Sequence, residues 1–253
     1  MRELLEAVAD GDLSPAAAES ELRGYVTSDA GRFDTARAKR AGVPEVILAA
    51  GKTTEEIQML VETSLAGTGR AIVTRATATT TAALEEQYAS DPEMTITVDE
   101  RAQTVVVHES EFDRPDLDAT VGVVTAGTSD AMPAGEAATI LREMGATVER
   151  VEDIGVASLD RMLDQVPRLR EQDVLIVAAG REGALPTVLA GLVDVPIIGL
   201  PISTGYGHGG EGEAALSGLL QSCTALSVVN IDAGFTAGVQ AGLIARQLDG
   251  ARE

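Results

Sequence analysis

Cysteine, lysine and aromatic residues are scarce in this chain. Cys223 is the only cysteine, so no intramolecular disulfide and no CxxC metal site can form. Lys39 and Lys52 are the only lysines, and 19 basic against 40 acidic side chains leave a formal charge of -21. Binding a phosphate backbone needs clustered Lys and Arg to displace counterions, so this balance argues against nucleic acid as a partner. No stretch approaches the roughly 20 apolar residues needed to span a bilayer. The start, Met1-Arg2-Glu3, lacks a basic region followed by an apolar core. A soluble, cytoplasmic protein without a membrane partner is therefore expected.

What is present is aliphatic and permissive: 253 residues, 45% hydrophobic, with 26 glycines. A compact fold of this length buries roughly 70% or more of its unfolded surface, so stability requires neither disulfide nor structural metal. The acidic excess suits a salt-rich cytoplasm, where screening relieves repulsion among carboxylates, and reads as a salt-adapted surface rather than a statement about substrate.

The first thirty residues read as short helices. Leu4, Leu5 and Val8 share a face, Gly11 ends the turn, and Ser14 with Pro15 caps a second helix through Leu22. Glu45 to Ala49, Thr53 to Leu65 and Arg70 to Thr74 form a βαβ-like unit, with Thr53 as helix cap. Thr95 to Val98 and Thr104 to His108 alternate with period two around an acidic turn and predict an antiparallel hairpin. The charged segment Ser110 to Asp118, containing Pro115, separates an N-terminal α+β domain (1–117) from a second domain (118–253).

In the second domain strands and helices alternate. Strands are predicted at 121–125, 147–151, 174–178, 197–201 and 226–231, with helices at 134–144, 159–170, 185–193, 213–222 and 236–248. Continuous Val/Ile/Leu runs mark strands buried on both faces, which predicts a three-layer, doubly wound parallel α/β sheet. Ligands of such sheets bind beyond the carboxyl ends of the strands.

The loops gathered at that edge carry the candidate chemistry. Gly127-Thr128-Ser129-Asp130 can cradle a phosphate or carboxylate at a helix N-terminus, or simply cap the helix. Arg181 and Glu182 offer an anion-pairing guanidinium beside a proton-transfer carboxylate, or a solvated ion pair. Pro201 to Gly212 holds five glycines within eight residues, a loop built for close approach to a ligand. His208 in that loop is either a ligand contact or a solvent-facing side chain, and one histidine makes no zinc site. Cys223 is inert core or a reactive thiol. Asn230 and Asp232 close the last strand, as caps or at the shared edge.

Taken together, Gly127-Thr128-Ser129-Asp130, Gly180 to Pro186, Pro201 to Gly210, Ser222-Cys223 and Val229 to Phe235 resemble the family of LarB, the carboxylase/hydrolase that begins assembly of the nickel-pincer nucleotide cofactor. Asp34, Arg37, Arg40, Gly42, Pro44-Glu45, Gly51-Lys52 and Thr74-Arg75-Ala76 extend the resemblance into the first domain. The second domain is also similar to the carboxyaminoimidazole ribonucleotide mutases of purine synthesis. Where those carry a catalytic histidine before Leu-Pro, this chain has Ala184 before Leu185-Pro186, and the first serine of their phosphate loop falls at Gly127.

The resemblance implies carboxylation of nicotinic acid adenine dinucleotide by CO₂ or bicarbonate, and hydrolysis to a biscarboxylated pyridinium mononucleotide and AMP. It implies Cys223 as nucleophile and Glu182 as proton carrier. It also implies substrate contacts from Gly127, Thr128, Ser129, Asp130, Arg181, Ser203, Gly205, Tyr206, Gly207, His208, Asn230 and Asp232. Arg37, Lys52 and Arg75 either contact the dinucleotide or form structural ion pairs. Mg²⁺ is an expected cofactor whose ligands no spacing defines. The resemblance further implies a homo-oligomer, for which an octamer is one candidate. The competing readings are a purine-type ribonucleotide carboxylase or mutase and a non-catalytic nucleotide-binding module.

Overall fold

The computed structural model describes residues 6, 8–11, 15, 18, 24–28 and 31–252. Leu4, Leu5, Ser14 and Leu22, on which the expected N-terminal helices rest, lie outside the described residues. The chain divides into two compact units between Asp113 and Arg114, a few residues before the boundary drawn from sequence. Among the described residues, no helix is long and apolar enough to cross a membrane.

In the first unit a short hairpin, β1 (Val26–Ser28) and β2 (Gly31–Phe33), precedes α1 (Arg37–Ala41). A four-stranded sheet follows in the order β3-β4-β6-β5, from β3 (Ile47–Leu48), β4 (Arg70–Thr74), β5 (Met94–Asp99) and β6 (Thr104–Glu109). β3 and β4 are parallel, joined by α2 (Thr54–Thr68), and β5 and β6 are the expected antiparallel hairpin. Thr53 caps α2 through a reciprocal box: its hydroxyl accepts the Glu56 N–H at 3.2 Å, and the Glu56 carboxylate accepts the Thr53 N–H at 2.8 Å. The core joins Ile57, Val61 and Leu65 of α2 to Leu84 of α3 (Ala78–Tyr88) and to alternate residues of β4 and β6. The sequence reading assigns no element to residues 77–93. Its threonine run is a weak helix former, and the helix there is anchored by Thr77 capping and by burial of Leu84 and Tyr88.

The second unit is the expected three-layer sheet, in the order β11-β10-β9-β7-β8 and parallel throughout. Its strands are β7 (Thr120–Thr125), β8 (Thr147–Val151), β9 (Val174–Ala179), β10 (Ile197–Pro201) and β11 (Ser227–Val228). All six residues of β9 are buried because alternate side chains enter opposite cores. Val174, Ile176 and Ala178 pack with α4 (Ala131–Glu143) and α9 (Gly234–Arg252). Leu175, Val177 and Ala179 pack with α5 (Leu159–Leu163), α6 (Val166–Leu169) and α7 (Ala184–Ala190). α8 (Glu213–Leu220) lies on this second face, with Leu219 against Gly199.

In the second unit two elements depart from the sequence reading. The single helix expected at 159–170 is broken into α5 and α6, because Pro167 lacks an N–H and its ring excludes the carbonyl four residues earlier. The strand expected at 226–231 shrinks to β11, an edge strand with β10 as its only partner among the described residues.

α9 and α4 meet along glycines. A Cβ at Gly238 would sit 2.7 Å from the Ala137 carbonyl oxygen and 3.0 Å from Ile140 Cβ. At the start of the same seam the fully buried Glu136 accepts the Phe235 N–H at 3.1 Å. Gly238→Val must part the two helices, which costs about 3 kcal/mol and lowers Tm by roughly 6–12 °C. A Tm within about 2 °C of wild type by scanning calorimetry would contradict this packing.

Candidate functional site

The chain runs from β7 outward to β8, then back across the sheet to β9, so the strand order reverses between β7 and β9. A crevice opens beyond the carboxyl ends at such a reversal. Here it is a hollow of about 280 Å³. Its walls are Gly127, Ser129 and Asp130 after β7, Gly155 to Ala157 after β8, Gly180 to Glu182 after β9, and Thr204 after β10. The loops pack without spare room: a Cβ at Gly180 would lie 2.6 Å from the Thr204 carbonyl oxygen, so only glycine fits there.

Asp130 shapes the anion loop. Its buried carboxylate accepts the Gly127 N–H at 2.8 Å, and the Ser129 hydroxyl is 3.5 Å from its other oxygen. These bonds engage the Asp130 carboxylate in folding the loop. Burial raises the Asp130 carboxyl above its ordinary range, against the Gly127 and Ala126 N–H groups and Ser129, which favour the charged form. The native state therefore holds this proton more tightly than the unfolded chain. The stability Asp130 contributes is full below about pH 4 and is lost as pH rises through its folded value. Asp130→Asn keeps the acceptor without the titration, so its Tm should gain on wild type as pH rises from about 4 toward neutrality. Thermal melts showing a constant difference across that range would refute this.

A second hollow, of about 310 Å³, adjoins the first and shares Arg181 and Glu182 with it. The glycine loop forms the rest of its wall through Gly205, Tyr206, His208 and Gly209. The Arg181 guanidinium lies 4.4 Å from the Tyr206 ring centroid, and its Nη2 donates to the Tyr206 hydroxyl at 3.3 Å. Among the described residues of the second unit, left-handed backbone at non-glycine positions occurs at Asp153, Arg181, Glu211 and Asp232, one in each loop following β8, β9, β10 and β11. Each such residue costs of order 1–3 kcal/mol, and strain of this kind gathers where a site dictates the backbone.

The remaining expected site residues lie elsewhere. Thr128, Ser203 and Gly207 are exposed and line neither hollow. Asp232 accepts the Ser203 N–H at 2.9 Å and Asn230 accepts the Ile231 N–H at 2.8 Å, so both brace the loop after β11 outside the hollow walls. Cys223 is exposed, which overturns its reading as core. It sits between Ser222, whose hydroxyl accepts from Thr187 Oγ1 at 3.1 Å, and Thr224, which donates to the Thr187 carbonyl at 3.4 Å. The thiol is thereby tied to α7, the helix that begins just after Glu182, yet it lines neither hollow. Arg37, Lys52 and Arg75 belong to the first unit. Arg37 pairs with Glu45 at 2.7 Å, Lys52 donates to the Leu48 carbonyl at 2.8 Å, and Arg75 follows β4 in left-handed conformation.

Thr204 and the Gly155 to Ala157 loop were not anticipated as site residues. The signal for the latter was available, since any loop leaving the carboxyl end of a strand beside the reversal point faces the crevice. Among the described residues no group of three His, Cys, Asp or Glu side chains could hold a metal ion.

Residues 25–109 match the LarB/PurE-like N-terminal domain and residues 120–253 match AIR carboxylase. The chain belongs to the LarB-like family. An uncharacterized protein of Methanocaldococcus jannaschii, MJ0165, is 36% identical to it over 252 residues, covering 97% of each chain. The N5-carboxyaminoimidazole ribonucleotide mutase of Bacillus subtilis is 28% identical over 130 residues, 51% of this chain and 78% of the mutase. The mutase of Thermotoga maritima is 31% identical over 86 residues, 33% of this chain and 50% of the mutase. The crystal structure of a PurE2 variant from Treponema denticola aligns with 55% of this chain and 93% of that one, at 18% identity and a TM-score of 0.40. This LarB-like chain is thus a member of a carboxylase and mutase family, and its N-terminal match sets it beside LarB.

Proposed function

We propose that this protein carboxylates the pyridinium ring of nicotinic acid adenine dinucleotide and hydrolyses its phosphoanhydride. The observation that carries the reading is an exposed thiol, Cys223, in a chain whose two parts match the LarB/PurE-like N-terminal and AIR carboxylase families. A pyridinium ring is electron-poor and cannot attack CO₂. Addition of the Cys223 thiolate to a ring carbon cancels the positive charge and leaves a neutral enamine, which is a carbon nucleophile. The enamine carbon bonds to CO₂, Glu182 takes the proton from that carbon, and the electron pair expels the thiolate to restore aromaticity. Water then cleaves the phosphoanhydride, giving AMP and the biscarboxylated mononucleotide.

In this reading the loop at Gly127 to Asp130 and the Arg181 guanidinium receive phosphate oxygens, and Glu182 stands in the wall beside them. The ring must then extend past the hollow wall to reach Cys223. Incubating the protein with the dinucleotide and bicarbonate should release AMP and a mononucleotide heavier by one carboxyl group, read by mass spectrometry. Turnover of an aminoimidazole ribonucleotide without AMP release from the dinucleotide would overturn the reading in favour of purine-type chemistry.

A further inference from the structure

Two hollows share one wall, and the wall carries a cation. The hollows, at about 280 and 310 Å³, lie near the lower end of the roughly 300–1,000 Å³ typical of small-molecule sites. Among the described residues, Arg181 is the one Arg or Lys that lines either of them, in a chain of formal charge -21. A ligand with two similar halves joined by an anionic linker fits this layout: one half in each hollow, the linker across Arg181. The proposed dinucleotide has that form, with a pyrophosphate between its two nucleosides.

The anion loop, with Gly127 and Ser129, belongs to the first hollow. The second has an exposed aromatic ring instead. Tyr206 is 79% exposed although the Arg181 guanidinium lies over its ring. An aromatic side chain held this way offers a stacking platform for a nucleobase, and base-aromatic stacking is a general means of holding purines. The same ring also fixes the guanidinium, through the cation-π contact and the 3.3 Å bond to its hydroxyl.

We infer that the second hollow is the subsite for the adenylate half of the substrate, and that Tyr206 acts there both as a stacking surface for adenine and as the positioning residue that holds Arg181 against the pyrophosphate. The inference rests on the dinucleotide reading above and adds to it which hollow takes which half. On hydrolysis, water bonds to one phosphorus and the bridging P–O bond breaks. The oxygen of the departing AMP takes up the electron pair, and Arg181 at the shared wall offsets that charge.

The test uses the full chain with AMP and nicotinic acid mononucleotide as separate probes in calorimetric titrations, beside turnover of the dinucleotide. Wild type should bind AMP in the presence of saturating mononucleotide. Tyr206→Ala should weaken AMP at least about fivefold and weaken the mononucleotide by less, since the mononucleotide loses only the hold on Arg181 and no stack. Tyr206→Phe keeps the ring and should restore AMP affinity to within about twofold. In turnover, Tyr206→Ala should slow AMP release about tenfold or more, since it removes both the stack and the hold on Arg181. Full competition between AMP and the mononucleotide, or AMP binding indifferent to Tyr206→Ala, overturns the subsite assignment while dinucleotide turnover still upholds the underlying reading. Absence of turnover in wild type overturns both.

Discussion

Cys223→Ser is expected to bind nicotinic acid adenine dinucleotide as wild type does and to form no carboxylated product, with a loss of about 10⁴-fold or more. The serine is nearly isosteric, and position 223 is exposed and lines neither hollow, so neither fold nor phosphate binding depends on the sulfur. The chemistry does depend on it. An alkoxide adds to a pyridinium poorly at neutral pH, whereas a thiolate both adds and leaves readily. The ring that is never neutralised cannot attack CO₂. Rapid-quench mass spectrometry should find a mass adduct on wild-type Cys223 and none on the variant. Carboxylation by Cys223→Ser within about tenfold of wild type would remove the thiol from the mechanism.

Glu182→Gln should lower carboxylation by about 10²–10⁴-fold with little change in KM. The amide preserves size and hydrogen bonding but cannot accept the ring proton. Gly183 turns the chain at φ 67 into α7, and the Glu182 carbonyl lies where a Cβ at Gly218 would approach within 2.5 Å, so the backbone at 182 is fixed independently of the side chain. If proton removal becomes limiting, deuterium at the carboxylated ring position should slow the variant several-fold more than it slows wild type. The thiol adduct should still form and should accumulate. An adduct level and turnover both unchanged in Glu182→Gln would assign the proton to another group. Loss of the adduct itself would place Glu182 in thiol addition rather than in proton transfer.

These expectations rest on features of unequal visibility in the sequence. The parallel sheet could be read directly, because a strand such as Val174–Ala179 must be apolar at every position when both faces are buried, and no other common element shows so short a continuous aliphatic run between helix patterns. The Thr53 cap could be read for a similar reason: a threonine followed three residues later by glutamate is a local arrangement that needs no partner from elsewhere. Pro167 also acts locally, and its break of the 159–170 helix follows from its own missing N–H and ring.

The site is different because it is made of loops that are distant in the chain. Gly127 and Ser129, Gly155 to Ala157, Arg181 and Thr204 meet only because strand order reverses between β7 and β9, and order depends on which strands pair across the whole sheet. The same cause separates what the sequence had grouped together. Asp232 looks like a ligand contact by type and position, but the register of β11 against β10 brings its carboxylate to the Ser203 N–H. Cys223 has the composition of a buried position, and the Ser222-Thr224 turn on Thr187 holds it in solvent. The sequence by itself determined that there would be a doubly wound sheet with glycine-rich loops at its carboxyl edge, because backbone periodicity and burial act residue by residue. Only the tertiary structure decided that Arg181 would stand between two hollows against Tyr206, because that contact joins residues 25 positions apart and exists only once the strands on either side have paired.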